Sequence, residues 1–360
     1  MSSKEYVKVG EELTLNYGKS LPARDRITGQ YEVVGSNGVV DRHNQFAMEG
    51  PGIVVGRKGS VGALTWLANN FWAIDTTYYA SLNGEGDLKY WYYQLSDLKL
   101  DTLNSHAAVP GLNRDNVYRI EVLKRSRVEQ EKIAKILGDL DRKIELNRQK
   151  NETLEQIGQT LFKKHFVDNS ESEGWDVKPL DEVADYKNGL ACQKYPVTLG
   201  EKTLKVIKIK EMSSGFTLNS DHVGLDFPDD YIIENGDLLF AWSGTLMTKI
   251  WTEGPGALNQ HIFKVTSNNY PKWFYYQWTN EHLKRFKMIA KSKAVTMGHI
   301  KRSHLSEVNV KIPPKVILDR FDKTFTSLLE RQVEVMVENN NLISLRDSLL
   351  PKLLSGQIEL

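Results

Sequence analysis

The stretch Arg127–Phe166, RVEQEKIAKILGDLDRKIELNRQKNETLEQIGQTLFKKHF, decides how the rest of the chain is read. In alternate steps of four and three, Ile133, Leu137, Leu140, Ile144, Asn147, Asn151, Leu154, Gly158, Leu161 and His165 fall on one seam. Apolar residues in that alternation mark a helix that packs lengthwise on another helix. Ser126 and Glu129 stand three apart, the capping-box spacing that satisfies two N–H groups otherwise orphaned at a helix start. No proline interrupts the run. At 1.5 Å per residue such a helix spans roughly 60 Å, longer than most helices inside one globular core. The pattern predicts a spacer.

A shift of 188 residues carries this helix onto a second run, Val316–Leu354. Ile133 then meets Phe321, Leu137 meets Phe325, Leu140 meets Leu328, Leu154 meets Leu342 and Leu161 meets Leu349. Asn147 meets Val335 and the polar Asn151 meets Asn339, so the second seam carries the same phase. The match extends upstream, with Arg114 on Arg302, Val117 on Leu305, Ile120 on Val308 and Val122 on Val310. A preserved phase over so long a stretch predicts a fold built twice. Asn147 and Asn151 at seam positions predict a fixed register, since buried polar seam residues select partner and alignment at a cost in stability.

The 360 residues suit two domains with connecting helices. Charged residues make up 26% and apolar residues 40%, an ordinary composition for a soluble protein. No apolar run approaches the roughly 18 residues of a membrane span. The N-terminal MSSKEYVKVGEELTLNYG shows no basic-then-apolar leader. A single cysteine, Cys192, rules out an internal disulfide framework and suits a reducing cytoplasm. With a net charge of +1, nucleic-acid binding must come from local patches.

Up to the long helix, short β-type runs alternate with turns: Tyr31–Val34 before Ser36-Asn37-Gly38, Ile53–Val55 before a glycine-rich loop, and Phe71–Tyr79. Tyr90–Tyr93 reads as a buried helix or strand, and Tyr118–Leu123 as a strand leading into the helix. After the polar link 168–174 the plan repeats. Val177–Val183 parallels Val7–Leu13, and Leu238-Leu239-Phe240 parallels Ile53-Val54-Val55. Ser243-Gly244-Thr245 parallels Lys58-Gly59-Ser60, and Leu258-Asn259 parallels Ile74-Asp75. Leu204–Ile209 is strand-like, Pro313-Pro314 opens the last helix and Ser355-Gly356 ends it. The expected fold class is α+β: a mixed globule over 1–126, a spacer helix over 127–168, a second globule over 169–314, and a second spacer helix with tail over 315–360.

The loop Gly56-Arg57-Lys58-Gly59-Ser60-Val61-Gly62 lacks the phosphate-loop pattern. It still offers two cations, a hydroxyl and open N–H groups to a DNA backbone or base edge, making Arg57, Lys58 and Ser60 candidates. Ser36 and Asn37 join them, although Asn-Gly is above all a hairpin signal. In the second half, nine Lys or Arg stand between Lys284 and Lys315 against one acid, Glu307. Clustered cations with short polar side chains suit a phosphate track with base-edge readers. Lys293, Thr296, His299, Lys301 and Arg302 are the candidates there, and Asn113 and Arg114 hold the equivalent place in the first half. Aromatics mostly build cores; Trp242, beside Ser243 and Thr245, is the tryptophan placed to meet a base.

Methyltransferase D/N-P-P-Y/F, S-adenosylmethionine glycine, Walker A and H-E-x-x-H patterns are all absent from the sequence. Pro228-Asp229 has no nuclease-type partner downstream, and the eight histidines lack ligand spacing. The sequence offers no catalytic constellation and no cofactor or metal site.

Six strings carry a family resemblance: GPGIVVGRKGSVG (Gly50–Gly62), FWAIDTTYYA (Phe71–Ala80), GLNRDNVYRIEV (Gly111–Val122), LGDLDRKIELNRQKNETLEQIGQTLFKKHF (Leu137–Phe166), TMGHIKRSHLSEVNVKIPP (Thr296–Pro314) and RDSLLPKLLSGQI (Arg346–Ile358). In their order the chain resembles the specificity subunit of type I restriction–modification systems. It departs at Lys124-Arg125-Ser126, where such proteins often carry prolines. The resemblance implies two target-recognition domains, each reading one half of an asymmetric split sequence in the major groove of double-stranded DNA. It implies that the two long helices pair antiparallel and set the gap. It further implies two docked methylation subunits using S-adenosylmethionine on adenine, and restriction subunits using ATP and Mg2+, with no chemistry in this chain. The competing readings are a coiled-coil adaptor that never touches DNA and a self-sufficient DNA-modifying enzyme.

Overall fold

Contacts in the computed structural model divide the chain into two compact units, Met1–Lys143 with Ile343–Leu360, and Ile144–Leu342. The structure describes residues 4–103, 111–198, 200, 202–224, 226–292 and 298–360. Each unit holds part of both long helices.

The first unit runs β1 (Tyr6–Lys8), α1 (Val9–Glu12), β2 (Leu13–Tyr17), β3 (Tyr31–Gly35), β4 (Gly38–His43), β5 (Gly52–Gly56), β6 (Leu64–Leu67), β7 (Phe71–Ala73), β8 (Thr77–Leu82), α2 (Leu88–Asp97), α3 (Arg114–Tyr118), β9 (Glu121–Leu123) and the start of α4 (Arg127–Phe162). An antiparallel sheet has the order β2-β8-β5-β6, a second the order β4-β3-β7 with β3 and β7 parallel, and β1 pairs with β9. The unbroken apolar run of β5 is explained by burial on both faces. Ile53 and Val55 enter the main core with Leu13, Leu15, Trp91, Ile133 and Leu137, whereas Val54 enters a smaller cluster with Val34, Met48 and Phe71. The Asn-Gly signal is a two-residue hairpin between β3 and β4, with Gly38 at positive φ.

The second unit runs β10 (Asp176–Pro179), α5 (Leu180–Val183), β11 (Asp185–Asn188), β12 (Leu204–Ile207), α6 (Ile209–Ser214), β13 (His222–Val223), β14 (Ile232–Ile233), β15 (Leu238–Ala241), β16 (Met247–Ile250), β17 (Gly256–Leu258), β18 (Ile262–Thr266), α7 (Lys272–Ser292), α8 (Ser303–Ser306), β19 (Asn309–Ile312) and most of α9 (Lys315–Leu354). Its sheet β11-β18-β15-β16 repeats the order of β2-β8-β5-β6, the parallel pair β12–β17 repeats β3–β7, and β10–β19 repeats β1–β9. As in β5, alternate residues of β15 face two cores, Leu238 and Phe240 one, Leu239 and Ala241 the other. The repeat expected from the helices therefore holds for these strands, while β14, paired with β17, is matched in the first unit only by the bridge of Met48 to Phe71.

Three strand expectations need correction. Phe71–Tyr79 is two strands, because the Thr77 N–H and hydroxyl both bond to the Ile74 carbonyl (3.0 and 2.7 Å) and turn the chain between sheets. Leu204–Ile209 stops at Ile207, since Ile209 opens α6. Tyr118 closes α3, which leaves only Glu121–Leu123 as strand.

Helix α4 opens on the expected box: Ser126 N–H donates to Glu129 Oε2 (2.9 Å) and Glu129 N–H to Ser126 Oγ (3.4 Å). It ends in a π-helical turn, Lys163–Val167. Gly356, at positive φ, follows α9, and the Gln357 N–H returns to the Lys352 carbonyl (2.9 Å). Within each unit the α4 and α9 segments run antiparallel. In the first, Arg125 donates to the Leu353 carbonyl (2.8 Å) and Asp141 pairs with Arg346 (2.9 Å). In the second, Asn147 bonds to Glu338 (3.0 Å), and the Phe162–Phe325 and Phe166–Phe321 ring centroids lie 6.4 and 5.5 Å apart.

Candidate nucleic-acid interface

Each sheet ends in a loop that meets a second loop arriving just before α3 or α8. In the first unit, β5 runs into Gly56-Arg57-Lys58-Gly59-Ser60. A Cβ on Gly56 would stand 2.1 Å from the Ser60 carbonyl oxygen and 2.8 Å from that of Ser36, so only glycine lets the hairpin tip and the loop approach this closely. Lys58 bridges to Gly111, and the Leu112 N–H donates to the Arg57 carbonyl (2.9 Å). Arg57 N–H bonds to the Thr76 carbonyl (3.0 Å) and its Nη2 donates to the Asp75 carbonyl (2.6 Å).

The Arg57 and Arg114 guanidiniums lie 5.2 and 5.3 Å from the centre of the Tyr17 ring, which is 54% exposed. Two like charges thus converge on one aromatic ring, each at cation–π distance. Below them Tyr78 packs on Tyr17 at 5.1 Å and donates to the Leu112 carbonyl (3.2 Å). Burial first, then the Tyr17 phenol, push the Tyr78 hydroxyl up to about 12 against the pull of both guanidiniums.

The second unit builds the same frame from other side chains. Trp242 N–H bonds to the His261 carbonyl (3.3 Å), Ile300 N–H to the Trp242 carbonyl (3.0 Å), and Ser243 bridges to His299. Trp242 therefore stands where Arg57 stands, and Ser243 where Lys58 stands. Gly59 and Gly244 both take positive φ in these loops. The Trp242 indole stacks on Phe263 (5.8 Å) and donates to Asn188 Oδ1 (3.0 Å), as Arg57 lies over Tyr78 and Tyr17. Thr245, His299, Lys301 and Arg302 are exposed, and Arg302 reaches Asp185 at 3.6 Å.

The structure thus gathers Arg57, Lys58, Ser60 and Arg114 at one surface, and Trp242, Thr245, His299, Lys301 and Arg302 at the other, with Ser243 buried beside them. Ser36 lies beside the first group but spends its hydroxyl on the Thr76 carbonyl (2.7 Å); Asn37 is the exposed hairpin tip. Asn113 caps α3 by accepting from the Asp115 N–H (2.8 Å). Lys293 and Thr296 lie outside the described residues. Sequence reasoning missed Tyr17 and Asn188, whose only signal was a place just before Gly18 and Gly189. Those glycines are forced, because a Cβ would stand 2.1 Å from the Ile74 carbonyl oxygen or 2.3 Å from that of Asn259.

Along the helices, Ile133 and Leu137 are buried in the first core with Leu353 and Leu354, and Leu349 packs against it; Leu140 is half-buried. In the second unit Ile144, Asn147, Phe325 and Val335 are buried. Asn151, Leu154, Leu161, Phe321, Leu328, Asn339 and Leu342 are half-buried. Toward the end of α4 the deeply buried residues are Phe162 and Phe166, one position past the seam residues Leu161 and His165. An α-helix drifts about 20° per heptad against a 3.5-residue repeat, so after four heptads the stripe has moved by about one residue.

The family profile described as "Type I restriction modification DNA specificity domain" matches residues 1–156 and again residues 172–339. Among curated proteins, the type I restriction enzyme MjaIX specificity subunit of Methanocaldococcus jannaschii is 25% identical over 288 residues, 72% of this chain and 65% of that protein. The chain thus spans just under two thirds of that relative's length. The HindI specificity subunit of Haemophilus influenzae is 23% identical over 327 residues, 69% of this chain and 71% of that one. In fold, the chain is similar to the crystal structure of the type I restriction–modification system S subunit from M. genitalium, with a TM-score of 0.69 at 18% identity over 98% of this chain and 97% of the other. With one profile match on each of two like-built units, the chain belongs to the type I restriction–modification DNA specificity family.

Proposed function

We propose that this chain is the sequence-reading, non-catalytic subunit of a type I restriction–modification complex, with each unit reading one half of an asymmetric double-stranded DNA target. One observation carries the reading: a single backbone frame presents Arg57, Lys58 and Arg114 in one unit, and Trp242, Thr245 and Arg302 in the other. A common frame with unlike side chains is what two readers of unlike sequences require. Arginine and lysine side chains suit guanine O6 and N7 or phosphate, whereas serine and threonine meet either base edge and an indole stacks. The two long helices set the gap between half-sites. Two reading heads on one frame bind more tightly than either alone, because the first contact raises the effective concentration of the second.

Methylation subunits using S-adenosylmethionine dock on this frame, and restriction subunits using ATP and Mg2+ join them; the cytoplasm is the compartment in which these partners and DNA meet. The test is to combine the full chain with its methylation partner and map the methylated adenines for two variants. Arg57→Ala with Lys58→Ala and Arg114→Ala is expected to degrade recognition of one half-site only. Trp242→Ala with Lys301→Ala should degrade only the other. Unchanged methylation patterns in both variants would refute the assignment.

A further inference from the structure

Among the differences between the two units is the length and charge of one helix, which the shared frame does not require. Helix α2 of the first unit spans Leu88–Asp97 and carries no cation in its last turn. Its counterpart α7 spans Lys272–Ser292 and exposes Lys284, Arg285, Lys287 and Lys291 toward its C-terminal end. At 100° per residue Lys284, Lys287 and Lys291 share one narrow face. The nearest carboxylate on that face is Glu281, one turn earlier, and none of the four cations forms an ion pair among the described residues. A merely solvated helix face ordinarily intersperses both signs.

The end of α7 also lies against the reading surface. A Cβ on Gly298 would stand 2.9 Å from the Ala290 carbonyl oxygen, so the last turn of α7 lies against the segment that bridges His299 to Ser243. The Gly298 carbonyl in turn accepts from the Gly244 N–H (2.9 Å). The helix that carries the cations therefore ends against the segment that leads to His299 and Lys301.

The geometry points to a phosphate-holding rail on α7, specific to the second unit, which grips the duplex backbone beside its half-site without reading sequence. The inference rests on the DNA-reading role of that unit. Contacts to phosphate carry no sequence information, so the rail adds affinity to every duplex alike.

The test uses the full chain with its methylation partner and the triple variant Lys284→Gln, Lys287→Gln, Lys291→Gln, with the matching triple arginine variant as the charge-retaining control. Binding is measured over a salt series on a duplex carrying the methylated site and on one lacking it. Releasing about 0.9 counterion per phosphate contact, three lysines predict that the slope of log affinity against log salt falls by about 2–3. Affinity should drop by about the same factor, tenfold or more at low salt, on both duplexes. The methylated sequence should stay as it was, and the arginine variant should behave like the parent.

An unchanged slope and affinity in the glutamine variant would overturn the rail. So would a loss confined to the cognate duplex, which would make these lysines base readers. Intact duplex binding with failed assembly would make the face a protein-docking surface instead. A parent complex that does not distinguish the two duplexes would sink the DNA-reading role itself, and that result is read without any variant.

Discussion

Asn147 of the first long helix donates from Nδ2 to the Glu338 carboxylate of the second at 3.0 Å, with Asn147 only 3% exposed. A buried amide tied to a charged group across two helices selects one alignment over its neighbours one turn away. Asn147→Ala is expected to lower unfolding stability by about 1–2 kcal/mol, discounted because Glu338 is exposed. Denaturant unfolding measures this, and a midpoint equal to the parent's would show that the contact does not bear on the pairing.

One turn further along, Asn151 and its repeat partner Asn339 each bury an Oδ1 that has no hydrogen-bond partner among the described residues. An unpaired buried acceptor costs about 1–3 kcal/mol. Replacing both with leucine should therefore raise the melting temperature, while loosening the register that the polar pair enforces. Melting curves together with mapping of methylated adenines check both halves of the statement. A lower melting temperature would place these amides among stabilising groups.

In the first unit Asp141 accepts from Arg346 Nη1 (2.9 Å) and from the Tyr93 hydroxyl (2.6 Å). Asp141→Ala leaves the Tyr93 phenol without its acceptor and takes from the partly buried Arg346 guanidinium one of its two carboxylates, the other being Asp347 at 2.7 Å. The expected cost is about 1–3 kcal/mol, and Arg346→Ala should cost less in that background than on its own, since its pair with Asp141 is already gone while its pair with Asp347 remains. A double-mutant cycle reads the coupling; strictly additive losses would deny it.

The Tyr78 hydroxyl, held at about 12 rather than 10.0, links folding to alkaline pH. Its folded value lies above its unfolded one, so its contribution is complete below pH 10 and is lost as pH rises from there toward 12. Tyr78→Phe is expected to flatten that part of the decline. Unfolding between neutral pH and pH 12, followed beside phenolate absorbance, tests this; an identical decline in the phenylalanine variant would assign it to other groups.

The helices made the repeat legible because a helical stripe keeps its phase over many turns, as the pairing of Asn151 with Asn339 illustrates. The sheets were harder to align because intervening loops differ in length between the units. The sequence parallels set Ile74-Asp75 beside Leu258-Asn259, and Val7–Leu13 beside Val177–Val183. The structure moves each by one residue: Lys19 N–H bonds to the Ala73 carbonyl and Leu190 N–H to that of Leu258, while Val9 and Leu180 donate to Ile120 and Val308. The loops around Arg57 and Trp242 were visible as glycine punctuation next to buried strands. Tyr17 was not, because its meeting with Arg57 and Arg114 joins residues far apart in sequence that come together only when β2, β8 and β5 assemble.

The spacer role meets its most direct test in the gap between half-sites. Deleting Glu145–Asn151 together with Val335–Asn341 removes one heptad from each helix, about 10 Å of rod, or about three base pairs of duplex. Methylated-adenine mapping should then return both half-site sequences intact around a gap shorter by about that amount. An unchanged gap, or the loss of one half-site's sequence while the other persists, would contradict the account.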